Sequence, residues 1–80
     1  MHYVYLIQSI KDPEKKYVGK TTNLKQRLEK HNSGGSTHTK LNGPWRLVTF
    51  LVFTDKFKAT SFEKYLKSGS GRAFANKRLW

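Results

Sequence analysis

Tyr3-Val4-Tyr5-Leu6-Ile7 and, across a turn, Tyr17-Val18-Gly19 decide how the rest of this chain is read. Residues 2–9 alternate and are rich in Tyr, Val, Leu and Ile, the pattern of a strand. Lys11-Asp12-Pro13-Glu14 makes a turn, with Pro13 fixing φ and Asp12 offering a side-chain acceptor. Residues 16–20 return as a second strand, so the two pair as a hairpin. Gly19 ends it, where the backbone bends sharply or something comes close.

Beyond the hairpin, Thr22 or Asn23 caps a helix running to about His31, and Asn32-Ser33-Gly34-Gly35-Ser36 stops it. Residues 32–44 read as a polar loop ending in Gly43-Pro44. Trp45 to Phe53 is almost continuously apolar, interrupted by Arg46 and Thr49. It is expected to be the central strand, buried on both faces. Thr54-Asp55 caps a second helix to about Ser68, terminated by Gly69. Gly71 to Leu79 forms a short last helix that packs Phe74 onto the rest. The expected fold is one α+β domain over residues 1–80. It has a small three-stranded, mostly antiparallel sheet flanked by helices, in the order β-β-α-β-α-α.

A chain of 80 residues buries only about 60–65% of the surface it exposes when unfolded. It has no cysteine, which excludes disulfides and thiolate metal sites and fits a reducing cytoplasm. No apolar run approaches a membrane span and no signal-peptide pattern opens the chain, so a soluble, cytoplasmic protein without a membrane partner is expected. Sixteen Lys and Arg against five acids give a net charge of +11, spread along the whole sequence. Such a field attracts polyanions, and nucleic acid is the expected partner through its phosphates. The three histidines lack zinc-ligand spacing.

Helix phasing then sorts the polar groups. Leu24 and Leu28 mark the apolar stripe of the first helix, and Arg27 and His31 fall beside it, four residues apart. Both are expected half-buried at the rim of the sheet, where an arginine needs an anion. In the second helix Ala59, Phe62, Tyr65 and Leu66 make the stripe, with Glu63 at its edge. The other acids have ordinary places: Asp12 and Glu14 in the turn, Glu29 among lysines, Asp55 as a cap. Each group also has a purely structural account. Glu63 can pair with Lys67 or with Arg27, the tyrosines can be core aromatics, and His31 can favour a helix C-terminus. Only the set of five, in one order and on matching faces, argues for a site.

In these residues the chain resembles the GIY-YIG nuclease family over nearly its full length. The first motif stands as Tyr3-Val4-Tyr5 and the second as Tyr17-Val18-Gly19, followed by Arg27, His31 and Glu63. Tyr3 replaces the glycine of the first motif, and Asn76 lies near a distal asparagine of the family without a role assigned to it. The run from Glu63 to Arg72 looks like the small bacterial members related to the N-terminal nuclease domain of the excinuclease C subunit.

The resemblance implies a metal-dependent endonuclease acting on DNA, branched or damaged, in repair or recombination, and working as a monomer. Arg27 would fork the phosphate oxygens. Glu63 would hold one divalent ion, Mg²⁺ or Mn²⁺, as a Lewis acid. Tyr5 or Tyr17 would position or deprotonate the water, its phenol pKa lowered by Arg27, the ion and the lysines. His31 would relay the proton. Lys20, just past Gly19, and His38 and Lys40 in the loop are candidate DNA contacts. The alternative from another class is a basic nucleic-acid-binding module with little or no cleavage.

Overall fold

The computed structural model describes all of residues 1–80 as β1 (His2–Ser9), β2 (Lys16–Thr21), α1 (Leu24–Asn32), β3 (Trp45–Phe53), α2 (Lys56–Leu66) and α3 (Gly69–Arg78). The expected order is present, and the sheet is antiparallel throughout, arranged β2-β1-β3. No helix is long and apolar enough to cross a membrane.

The central strand is β1, not the segment from Trp45 to Phe53. Its alternate residues are buried on opposite faces. Val4 and Leu6 meet Ala59, Leu66 and Ala75 of α2 and α3, while Tyr5 and Ile7 pack with Trp45, Leu24 and Leu28 on the α1 side. β3 lies at the edge. It reads as a continuous apolar run because its pairing with β1 slips between Leu6 and Ile7: Leu6 faces Thr49, but Ile7 faces Leu47. The extra residue, Val48, shifts the inward alternation by one, as a bulge does. The short helix α1 leaves the far end of this face uncovered, so Phe50 and Val52 are 47% and 48% exposed. Tyr3, which occupies the motif's glycine position, lies there against the ring of Phe50.

Each helix begins at a side-chain cap that accepts an otherwise orphaned backbone N–H. Asn23 accepts from Gln26 at 3.0 Å, Asp55 from Phe57 at 2.8 Å and Ser68 from Gly71 at 3.2 Å. The third cap corrects the expected boundary. Gly69 does not terminate α2; the Ser68 hydroxyl starts a new helix there, and Gly69 is its first residue. The expected stripe of α2 also narrows to Ala59 and Leu66, with Tyr65 41% exposed. Phe74 stays on the rim, edge-on to Phe62. The buried contacts of α3 are Gly71 and Ala75 instead.

Two nearby glycines test this packing in opposite ways. A Cβ on Gly71 would run into the Tyr65 carbonyl and sit 2.8 Å from Leu66 Cα, which is backbone and cannot swing aside. Gly71→Ala is therefore expected to cost about 3 kcal/mol, as overpacking does at an inflexible contact. A Cβ on Gly69 meets nothing within 4 Å, so Gly69→Ala should be neutral or slightly stabilising. Urea unfolding midpoints of the two variants check both.

Candidate active site

The site is built where β1 passes Gly19 of β2. Tyr5 pairs across the ladder with Gly19, and a Cβ at that position would collide with the Tyr5 phenol. Glycine is thus required for the tyrosine to lie flat over β2. The strand continues past it to Thr21, so Gly19 does not end the hairpin as expected but makes room inside it.

Lying over Gly19, the Tyr5 hydroxyl meets His31 Nε2 at 2.7 Å. The other ring nitrogen, Nδ1, meets the Thr39 hydroxyl at 2.6 Å. Thr39 is held in turn by the Trp45 indole, whose N–H donates to its carbonyl at 2.8 Å. Asn32 closes the loop, accepting from the Trp45 N–H at 2.6 Å and donating to its carbonyl at 3.1 Å. In a neutral imidazole one nitrogen donates and the other accepts. Tyr5, His31 and Thr39 therefore form one chain through which a proton position at either end is felt at the other. Thr39, fully buried, is the residue that sequence reasoning missed. It lies in a polar loop with no periodicity to mark it.

His31 is only 1% exposed, which corrects the expectation of a half-buried rim position. The loop carrying Thr39 folds over it. Burial lowers its pKa, with the positive charges of Arg27 and Lys30 acting in the same direction. The Tyr5 phenol moves the opposite way from the expectation. Burial pushes its pKa well up, Tyr17 and Glu63 add to this, and Arg27 opposes it without prevailing. Desolvation here outweighs the positive field.

Around this buried pair stand the remaining groups. The Tyr17 ring lies edge-on to His31 at 5.2 Å and 6.4 Å from Tyr5, and Tyr17 is half-buried. The Lys67 ammonium is 5.9 Å from the centre of the Tyr17 ring and 3.4 Å from the Glu63 carboxylate, whose side chain is 21% exposed. This is the only ion pair in the protein, and with an exposed lysine it contributes a few tenths of a kcal/mol at most. Arg27 is half-buried and has no carboxylate partner, so the alternative of an Arg27–Glu63 rim bridge is not realised. Its charge and that of Glu63 both reach Tyr5. The structure thus gathers Tyr5, Tyr17 and His31 in one cluster, with Glu63 reaching Tyr17 through Lys67. Arg27 lines a hollow with Thr21, Asn23, Gln26 and Lys30 and acts on Tyr5 and His31 through its charge.

The candidate DNA contacts divide. His38 stacks at 6.2 Å on Tyr17, and Lys40 is exposed on the same loop. Lys20 reaches across to α2, donating to the Thr60 hydroxyl at 2.8 Å.

No group of three or more metal-ligating side chains exists here. A single carboxylate at the edge of the site suits an ion such as Mg²⁺, which keeps several waters and takes further oxygens from a phosphate.

What fold and site define is a small basic α+β domain with a phenol–imidazole cluster at one sheet edge and, on α1, an arginine without a carboxylate partner. Residues 1–78 match the sequence pattern of the GIY-YIG catalytic domain. The chain is 44% identical over 68 residues to a UPF0213 protein of Clostridium perfringens, covering 84% of this chain and 71% of that one. It is 41% identical over 66 residues to the structure-specific endonuclease subunit SLX1 of Kluyveromyces lactis, covering 74% of this chain but only 23% of that protein. The solution NMR structure of a UPF0213 protein from Bacillus halodurans shares the fold, with TM-score 0.56 and 33% identity over 95% of this chain and 82% of that one. The chain belongs to the GIY-YIG family.

The buried imidazole makes stability depend on pH in a definite direction. Its folded pKa is below the unfolded one, so above about pH 6.5 both states are neutral and the group is silent. Below that value the unfolded chain takes a proton that the folded one refuses, and stability falls with falling pH. Urea midpoints at pH 7.5 and 5.5 should drop more for the wild type than for His31→Gln. Equal drops would show that His31 is not the group responsible.

Proposed function

We propose that this protein is a metal-dependent endonuclease that hydrolyses DNA phosphodiester bonds. The observation that carries this reading is Arg27. It is a half-buried guanidinium without a carboxylate partner, and its charge bears on both Tyr5 and His31. An arginine left open suits a phosphate that arrives with substrate.

The roles follow from exposure. Arg27 grips the scissile phosphate and offsets the charge that builds on its oxygens. Glu63 holds the one divalent ion, Mg²⁺ or Mn²⁺, which supplies Lewis-acid stabilisation when bound. Tyr5 is 2% exposed and hydrogen-bonded to His31, so it serves as a fixed, neutral positioning group. Tyr17, half-buried and partly reachable from solvent, meets the attacking water. His31 and Thr39 hold the proton pattern behind Tyr5. His38 and Lys40 flank the same edge and contact the DNA backbone, with Lys20 nearby. Branched or damaged DNA, of the kind handled in repair or recombination, is the proposed substrate. The likeness to structure-specific endonuclease subunits supports it.

The test is incubation with flapped, nicked and fully paired DNA in Mg²⁺ or Mn²⁺, beside Glu63→Ala and Arg27→Ala. Each substitution is expected to lower the cleavage rate by a factor of about 100 or more, the scale of one lost charge-stabilising group. Cleavage undiminished in Glu63→Ala would sink the reading. Wild-type protein that cuts nothing but binds DNA with a steep salt dependence would mark it as a binding module instead.

A further inference from the structure

Tyr17 has a second neighbourhood. On its far side, β2 and α3 enclose a groove of about 430 Å³, within the size range of small-ligand sites. Tyr17 and Val18 form one wall, Arg72 and Asn76, one turn apart on α3, the other, and Leu66 and Ala75 the floor. Trp80 closes one end, its backbone N–H donating to the Ala75 carbonyl at 2.9 Å. The Lys16 ammonium rests over the indole, 5.0 Å from the ring centre. Three cations, Lys16, Lys67 and Arg72, line the groove, and no acid does.

This combination is selective. A merely solvated basic surface has no need of an indole over an apolar floor, and an apolar protein groove would not carry three cations. A single nucleotide satisfies both halves: a flat base for Trp80, an amide at its edge in Asn76, and a phosphate for the cations. Stacking a base on the indole would release the Lys16 ammonium to that phosphate. The groove also shares Tyr17 and Lys67 with the candidate active site, so a strand held by one runs into the other.

We propose that the groove between β2 and α3 is a subsite for one unpaired nucleotide next to the scissile phosphate, and that it gives the protein a preference for DNA with a single-stranded segment at that point. A paired nucleotide would have to leave its stack to enter, at a cost that an unpaired one avoids. Its position relative to the cut rests on the nuclease reading; its preference for unpaired DNA does not.

The experiment separates the two. Wild type is titrated without divalent ion against a flapped duplex and a fully paired duplex of equal length, at one salt concentration. Tryptophan fluorescence and anisotropy of the labelled DNA are recorded. The flapped DNA should bind about tenfold more tightly and quench the fluorescence. Trp80→Ala should remove most of that factor while leaving duplex affinity within about twofold, and Trp80→Phe should keep most of it. Because Trp80 also packs on the core, Arg72→Gln, at an exposed position, is the companion variant. It should weaken flapped DNA more than paired DNA. Equal binding of both DNAs by wild type, no binding of either, or an unchanged flapped-to-paired ratio in both Trp80→Ala and Arg72→Gln overturns the subsite. If the ratio collapses as expected but wild type cuts nothing with Mg²⁺ or Mn²⁺, the subsite stands and the nuclease reading falls. If wild type cuts and the ratio does not respond, the reverse holds.

Discussion

The contact between Tyr5 and Gly19 is the constraint on which the rest of the molecule depends. A phenol can lie across a neighbouring strand only where that strand has no side chain, and Gly19 is that place. From there the hydroxyl reaches His31 on α1, and His31 reaches Thr39, which fixes the loop against Trp45 at the start of β3. One aromatic ring thus ties together two strands, a helix, a loop and the third strand. The same tie is the back wall of the candidate site, so loosening the fold here and disordering the site are a single event.

Electrostatics divides that wall into a silent layer and a working layer. Behind, burial raises the Tyr5 pKa and lowers that of His31, which keeps both groups neutral. In front, Tyr17, Arg27, Glu63 and Lys67 remain reachable from solvent. In a chain with only five acids and a net charge of +11, a single carboxylate at this edge stands out. Its partner is an exposed lysine, not Arg27. A cation can take the place of an exposed lysine on Glu63, or a phosphate can draw that lysine away, at little cost. Neither would so easily displace a bidentate arginine.

Much of this was legible in the sequence, and the failures have physical reasons. The caps at Asn23 and Asp55 and the half-buried position of Arg27 follow from local rules and hold in the structure. The family resemblance carried by Tyr5, Tyr17, Arg27, His31 and Glu63 is matched by the GIY-YIG domain pattern over residues 1–78. Hydropathy put β3 at the centre because a bulge at Val48 breaks the alternation that would have marked it as an edge. Phasing put His31 at a rim because no helical rule sees a distant loop fold over it. Thr39 was invisible for the same reason, since its importance comes from tertiary contact alone. The rise of the Tyr5 pKa was missed because sequence shows the charges near a group but not its desolvation.

The placement of the site on a sheet edge has its own logic. An enclosed pocket suits a small molecule, whereas a polymer needs a surface it can cross. β2 is the outer strand, short and bounded by Lys16 and Lys20, charges that also discourage edge-to-edge association with another copy. Tyr17 stands near the start of that edge, beside Lys16, with a different surface on each side. One is the polar cluster with His31; the other is the cationic groove against α3. A strand laid along β2 would therefore meet its phosphate contacts and its base contact in succession around one residue. On the proposed reading, the contact that tests whether a base is free to leave its stack would lie directly beside those that hold the phosphate.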